Sequence, residues 1–336
     1  MRVAVLAPVA WRTPPQHYGP WEQVASNVAE GLVAAGIDVT LFATADSITG
    51  GKLDAVVQKG YAEDREQDAK VVECLHISNL MEKAGQFDII HNHFDFLPLT
   101  YSKLIPIPMV TTIHGFSSPR ILPVYQKYAG HAHYVSISNA DRSPKLPYVA
   151  TVYNGLRVQD FTFNEQPENY LLFMGRIHPD KGTAEAIQIA IKSQKKLIIA
   201  GIIQDENYFA EKVKPFLNDD IQFIGSVGPE KRNQLLGNAV ALLHPIHFNE
   251  PFGLSVAEAM LCGTPVIAFS KGAMPELIKP DQTGFLVDNV NQAVEAVHQL
   301  NQINRASCRE WAMSNFSQEK MTSDYLAVYK QILNRC

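Results

Sequence analysis

Apolar residues fall along the chain in short runs of four or five, separated by longer stretches with helical spacing. Val3–Leu6, Val39–Ala43, Ile89–His91, Val110–Ile113, Tyr134–Ile137 and Val149–Val152 read as buried strands. Between the first two, Val24, Val28, Leu32 and Ala35 recur at helical spacing. Pro20 and Glu22 suit the first turn of that helix and Gly36 suits its end. Strand, helix and strand at this distance form a βαβ unit, which predicts a parallel sheet. A second series follows at Leu171–Met174, Leu197–Ala200, Ile221–Ile224, Val240–His244, Val266–Phe269 and Phe285–Val287, with helices over Thr183–Ser193 and Glu230–Asn238 among the spacers. The segment Arg157–Asn169 lacks either period and reads as a linker. Toward the C-terminus, Trp311 to Leu333 reads as one helix, with Phe316, Met321, Tyr325 and Tyr329 on one face.

The pattern therefore predicts two α/β domains in series, and 336 residues are enough for both. The carboxyl ends of their strands would face a cleft where ligands bind. Composition narrows this further. A net charge of −5 argues against a protein that coats nucleic acid. The four cysteines (Cys74, Cys262, Cys308, Cys336) form no CxxC pair, so neither a zinc framework nor a disulfide framework is expected. No apolar run reaches the roughly 18 residues needed to span a bilayer, and the Val3–Leu6 run is stopped by Pro8, so the default location is the cytoplasm.

The loops carry the chemistry. No GxGxxG or GxxxxGK[ST] follows a strand, so neither a nicotinamide fingerprint nor a P-loop is present. Gly19 and Pro20 stand just before the first helix, where backbone N–H groups can meet phosphate or simply shape a rigid turn. After Phe173–Met174 come Gly175-Arg176 and then Lys181-Gly182, two cations five residues apart beside flexible glycines, a set able to grip a diphosphate. The most specific stretch runs from His244 to Ala268. Glu250 precedes a strongly apolar helix and Glu258 lies within it. A carboxylate among Leu254, Val256, Ala259 and Met260 is costly unless hydrogen-bonded, and vicinal hydroxyls of a ribose or a sugar are natural partners. The N–H groups of Phe252, Gly253 and Leu254 would face an anion at the helix start; the plainer reading is two carboxylates favouring the helix dipole. His91-Asn92-His93 and His131-Ala132-His133 each put two imidazoles on one strand face, but no third metal ligand is fixed.

With these residues in view, the chain resembles the family 4 retaining glycosyltransferases, also called glycosyltransferase group 1. The resemblance rests on Glu250-x7-Glu258 within Asn-Glu-Pro-Phe-Gly-Leu-Ser-Val-Ala-Glu-Ala-Met, on Gly263–Ala268, on Gly272–Glu276 and Thr283–Val287, and on the Gly175-Arg176 and Lys181-Gly182 pair. Thr112–Gly115, Val135–Ser138 and Asn154-Gly155 add weaker landmarks in the first half. The resemblance implies a GT-B fold: two Rossmann-like α/β domains with parallel sheets facing a central cleft. The domains would be residues 1–157 on the acceptor side and 158–315 for the nucleotide-sugar, with 316–336 a helix crossing back to the first, although packing on its own domain is equally open.

Carried over, the resemblance implies that Arg176 and Lys181 hold the diphosphate and stabilise its charge. Glu258 would bind the ribose, and Glu250 the sugar hydroxyls with the Phe252-Gly253-Leu254 backbone. His114 would approach the transferred sugar, and the Gly19 loop would close on the phosphates, with Gly175 beside them. Trp21, His91 and His93 are candidates for the acceptor side. Gly19-Pro20-Trp21-Glu22 departs from the family's Gly-Gly start: Pro20 removes one N–H donor and Trp21 adds bulk.

The expected partners are a nucleotide-sugar donor, a UDP-sugar favoured, and a hydroxyl acceptor. No cofactor or metal is implied, because no DxD is present. Residues 1–150 hold 12 Lys+Arg against 14 Asp+Glu and no basic cluster, which favours a small soluble acceptor over a membrane lipid. A lipid-linked acceptor, a nucleotide-sugar-binding protein without turnover, and a sugar-nucleotide epimerase are the competing readings.

Overall fold

The computed structural model describes residues 1–16, 19–64, 66–116 and 118–334. Cys336 lies outside the described residues; Cys74, Cys262 and Cys308 are free thiols. The chain forms two compact units: Met1–Gly155 together with the chain from Gln318 onward, and Leu156–Ser317.

In the first unit seven strands run in the spatial order β3-β2-β1-β4-β5-β6-β7, all parallel. They are β1 (Arg2–Leu6), β2 (Asp38–Phe42), β3 (Lys52–Asp54), β4 (Ile89–Asn92), β5 (Met109–Ile113), β6 (Ala132–Ser136) and β7 (Tyr148–Thr151). The central strands are buried on both faces, as parallel sheets require. β3 escaped the sequence pattern because it is a three-residue edge strand, Lys-Leu-Asp, without a continuous apolar run.

The helix after β1 spans Pro20–Ala34. It closes with Gly36 at φ 77° and with Ile37 N–H donating to Leu32 O at 3.0 Å, the αL cap that the glycine predicts. The single terminal helix expected from Trp311 to Leu333 is instead two, Arg305–Phe316 and Gln318–Leu333. Ser317 between them is extended, and Phe316 O accepts the Leu156 N–H at 2.9 Å. Phe316 thus belongs to the second unit, and Met321, Tyr325 and Tyr329 to the first.

The second unit has six parallel strands in the order β10-β9-β8-β11-β12-β13. These are β8 (Tyr170–Met174), β9 (Lys196–Ala200), β10 (Ile221–Phe223), β11 (Ala241–His244), β12 (Val266–Phe269) and β13 (Gly284–Val287). The aperiodic stretch at 157–169 is bound into this unit: Arg305 Nε donates to Asn164 O at 2.7 Å, and Thr162 N–H to Asn233 Oδ1 at 2.9 Å.

In both sheets strand order reverses beside the first strand. The switch points lie between β1 and β4, and between β8 and β11. Ligands of open α/β sheets bind outside the carboxyl ends of the strands at such points. The loops after β1, β4, β8 and β11 are those that carry Gly19, His93, Arg176 with Lys181, and Glu250. No helix among the described residues is long and apolar enough to cross a membrane.

Candidate active site

The second unit builds its cluster from the loops after β8 and β11. Gly175 N–H still donates to Ala200 O at 3.0 Å, and the backbone then peels away. Gly201 (φ 154°) presses against it so closely that a Cβ there would lie 1.8 Å from Gly175 O. The Arg176 guanidinium donates to Gln204 Oε1 and lies 3.3 Å from Asp180 Oδ2. Asp180 also faces His178 Nδ1 at 2.7 Å. Gly182 holds φ 74° against Pro245 O, where a Cβ would come within 1.9 Å. That contact ties the Lys181 loop to the Glu250 loop.

Lys181 and Glu250, 69 residues apart, meet directly. Lys181 Nζ donates to Glu250 Oε2 at 2.5 Å and sits 4.5 Å over the Phe248 ring. His244, the last residue of β11, points Nε2 at the same oxygen from 3.7 Å, too far for a hydrogen bond, and that nitrogen has no other partner. Burial works to raise the Glu250 carboxyl, but His244 first and then Lys181 outweigh it and bring it to about 2. Burial keeps His244 below its ordinary range and neutral. Glu250 is therefore a permanently ionised acceptor, and Lys181 is its counter-ion.

The helix Leu254–Leu261 starts at this pair. Gly253 (φ 99°) is its N-cap, and a Cβ there would meet Met274 Cε at 2.7 Å and Glu250 Cγ at 3.7 Å. The Phe252 side chain is core, edge-on to Phe316. Glu258 is buried on the second turn, away from the Lys181–Glu250 pair; its partner is Arg232 Nη1 at 3.4 Å. Arg232 was not singled out in the sequence, since a partner 26 residues away leaves no periodic trace. Gly272 opens the Gly272–Glu276 segment of the resemblance. It packs on Glu250 itself: a Cβ would lie 2.3 Å from Glu250 N, and Ala273 N–H donates to Glu250 O at 2.9 Å.

The first unit has its own polar cluster around the β1–β4 switch point. His114, nine-tenths buried, stacks on Trp21 with centroids 5.6 Å apart, and its Nε2 lies 2.9 Å from His93 Nδ1. His91, expected on the acceptor side, is corrected to a core residue. It is fully buried, with Nε2 2.7 Å from Thr112 Oγ1 and Nδ1 2.6 Å from the Tyr329 hydroxyl of the terminal helix. His93 is equally buried. Burial holds His91 and His114 near about 3 and His93 well below its ordinary range, so all three are neutral. Gly19, at φ 152°, caps the Pro20–Ala34 helix between Pro15 and Glu22. Glu22, read from the sequence as a helix-start charge, is in fact buried; it accepts the Trp11 N–H at 3.3 Å, and burial pushes it up to about 7. Among the described residues, no group of three or more His, Cys, Asp or Glu is placed to hold a metal ion.

Comparison with known proteins agrees with this layout. A family model for group 1 glycosyl transferases matches residues 158–314, and a family 4 glycosyltransferase model matches 21–157. An uncharacterised glycosyltransferase of Methanocaldococcus jannaschii is 23% identical over 330 residues, spanning 84% of each chain. Among solved structures, a glycosyltransferase involved in avilamycin A biosynthesis aligns with TM-score 0.76 at 22% identity, over 100% of this chain and 99% of its own. Anabaena HepE, solved with UDP and glucose, aligns with TM-score 0.73 at 18% identity, over 98% and 100%.

Proposed function

Because the chain belongs to the group 1, family 4 glycosyltransferases and has their GT-B fold, we propose that it moves a sugar from a UDP-sugar to a hydroxyl of a small soluble acceptor with retention at the anomeric carbon. The observation that carries this reading is the half-buried Lys181–Glu250 pair at the start of the Leu254–Leu261 helix, on the carboxyl side of β8 and β11. A donor diphosphate is the natural competitor for Lys181. As it takes the ammonium, Glu250 is left ionised, with lone pairs for the sugar hydroxyls. Arg176, released from Asp180, adds a bidentate grip. The two cations then stabilise the charge that grows as the bond from the anomeric carbon to the phosphate oxygen breaks. The acceptor oxygen attacks the same face, and its proton passes to the departing phosphate. The diphosphate's charge is met by Arg176 and Lys181, so the proposal includes no metal. Glu258, beside Arg232, takes the ribose hydroxyls. His114, on the first unit, contacts the reacting ligand.

The UDP preference leans on HepE, a protein of similar fold solved with UDP and glucose. Free thiols at Cys74, Cys262 and Cys308 favour the cytoplasm. The test is release of nucleoside diphosphate from UDP-glucose, UDP-N-acetylglucosamine, UDP-galactose, GDP-mannose and ADP-glucose. Release from one donor, abolished by Glu250→Ala, is the expected result. Absence of both release and calorimetric binding for all five would overturn the reading. Binding without release under a broad acceptor panel would leave a nucleotide-sugar-binding protein.

A further inference from the structure

His114 has two ring nitrogens, and among the described residues only one has a partner. Its Nε2 faces His93 Nδ1 at 2.9 Å, and no partner for its Nδ1 is found among the described residues. Both rings are neutral, so the pair shares one proton in one of two arrangements. Either His93 Nδ1–H donates to His114 Nε2, or His114 Nε2–H donates to His93 Nδ1. The rest of His93 decides between them. Its Nε2 is buried and has no hydrogen-bond partner. In the second arrangement that nitrogen carries a proton, leaving a buried donor with nothing to accept it. In the first it carries only a lone pair. Orphaned buried N–H groups are the rarer and more costly defect. His93 is rigid enough to impose the choice. Its backbone N–H donates to Leu6 O at 2.9 Å, and its ring lies 4.1 Å from that of His91. His91 is itself tied to Thr112 and Tyr329.

We propose that His93 is a positioning residue that locks His114 in the Nδ1–H tautomer, so that His114 offers a hydrogen-bond donor to a hydroxyl or ether oxygen of the reacting ligand. The second half of this rests on the transferase reading; the first half does not. Free neutral histidine prefers the Nε2–H form, so the tautomer is a property of the site. Trp21, stacked on the His114 ring, then keeps the Nδ1–H direction fixed.

The test is two-bond 1H–15N correlation spectroscopy of the ¹⁵N-histidine-labelled full chain at pH 7, without ligand. In the wild type His114 shows a pyrrole-type Nδ1 and a pyridine-type Nε2. His93→Asn places an amide N–H where Nδ1–H was and keeps that signature. His93→Leu removes the donor, and His114 reverts toward Nε2–H. A pyrrole-type Nε2 in the wild type overturns the proposal, and so does an unchanged His114 signature in His93→Leu. The wild-type spectrum alone decides the first point if His93→Leu fails to fold. Kinetics separate the two halves. With donor release established, His93→Leu lowers kcat at least tenfold with KM for the donor within about threefold, and His93→Asn recovers most of the loss. A reverted tautomer with kcat intact overturns the donor role of His114 while leaving the transferase reading standing.

Discussion

At the scale of single residues, the Lys181–Glu250 contact concentrates most of the chemistry the sequence pointed to. Lys181 does two jobs that one substitution separates. It neutralises Glu250 within the fold, and in the proposed reaction it is offered to the donor diphosphate. Lys181→Met keeps the stem over Phe248 but removes the charge. We expect donor turnover to fall by at least a hundredfold, measured as nucleoside diphosphate release, because a charge-assisted contact to the leaving group is lost in a water-poor site. The same change removes the counter-ion of Glu250, whose carboxyl must then rise from about 2. A depressed carboxyl stabilises the fold above its unfolded value near 4.5, and that stability is lost as pH falls through the folded value. The variant should therefore show less acid-sensitive stability between about pH 4.5 and 2 than the wild type, in urea titrations followed by circular dichroism. Both cations and both carboxylates were legible, since Gly-Arg-x4-Lys-Gly and Glu250 stand in loops after strands and Glu258 lies among apolar residues of the helix that follows. Their pairing was not. The sequence suggested Arg176 and Lys181 as one clamp, whereas the structure pairs Lys181 with Glu250, and Arg176 with Asp180 and Gln204.

Among elements, close backbone approaches decide more than hydrophobic pattern does. Strand positions in both units, and the helices at Pro20–Ala34, Thr183–Ser193 and Pro229–Asn238, followed from periodicity because most central strands are short apolar runs. What periodicity cannot carry is contact between distant segments. The edge strand at Lys52–Asp54, the break at Ser317 and the seat of His91 under Tyr329 all depend on partners that local sequence does not name. The break had a faint signal, since Ser317 is a favoured residue at a helix start. Two glycines test this layer. Gly182 holds a left-handed backbone with Pro245 O 1.9 Å from where a Cβ would sit. Gly182→Ala should cost about 1–3 kcal/mol of stability and displace Lys181, so turnover should fall more than stability alone explains. Denaturant midpoints and donor release in the same preparation check this. Gly31 lies in the Pro20–Ala34 helix, where it meets the terminal helix of the first unit; a Cβ there would fall 2.1 Å from Thr322 Oγ1. Gly31→Ala should destabilise, and adding Thr322→Ala should recover most of the loss, a coupling above about 1 kcal/mol in a double-mutant cycle. Additive losses would show that the helices move apart instead.

At the scale of the whole molecule, the first unit stores an unusual set of buried ionisable groups whose effects oppose one another. His76 sits at about 4, His91 and His114 near about 3, and His93 well below its ordinary range, all through burial. Burial also raises Glu22 and Asp141 to about 7 and Asp95 to about 6. The histidines bind fewer protons folded than unfolded, so each lowers stability as pH falls below about 6.5. The carboxyls do the reverse. Folded they hold protons that the unfolded chain has released, so they add stability as pH falls from about 7 to 4.5. Between about pH 6 and 5 four histidines are set against three carboxyls, so about one net proton is left and the stability of this unit should fall by only about 1.4 kcal/mol per pH unit. Below about pH 4.5 the unfolded carboxyls also take up protons and the compensation fades. The decline should then steepen to roughly 3–4 kcal/mol per pH unit, because His76, at about 4, begins to take up its own proton in the fold. Trp11 and Trp21 belong to the first unit and Trp311 to the second. Urea melts of a Trp311→Phe variant, read by tryptophan fluorescence from pH 7 to 3.5, thus follow the first unit within the full chain. A shallow decline that steepens below about pH 4.5 fits the opposed groups. A steep decline starting at pH 6.5 would mean that Glu22, Asp95 and Asp141 are ionised in the fold and that the histidines are not balanced.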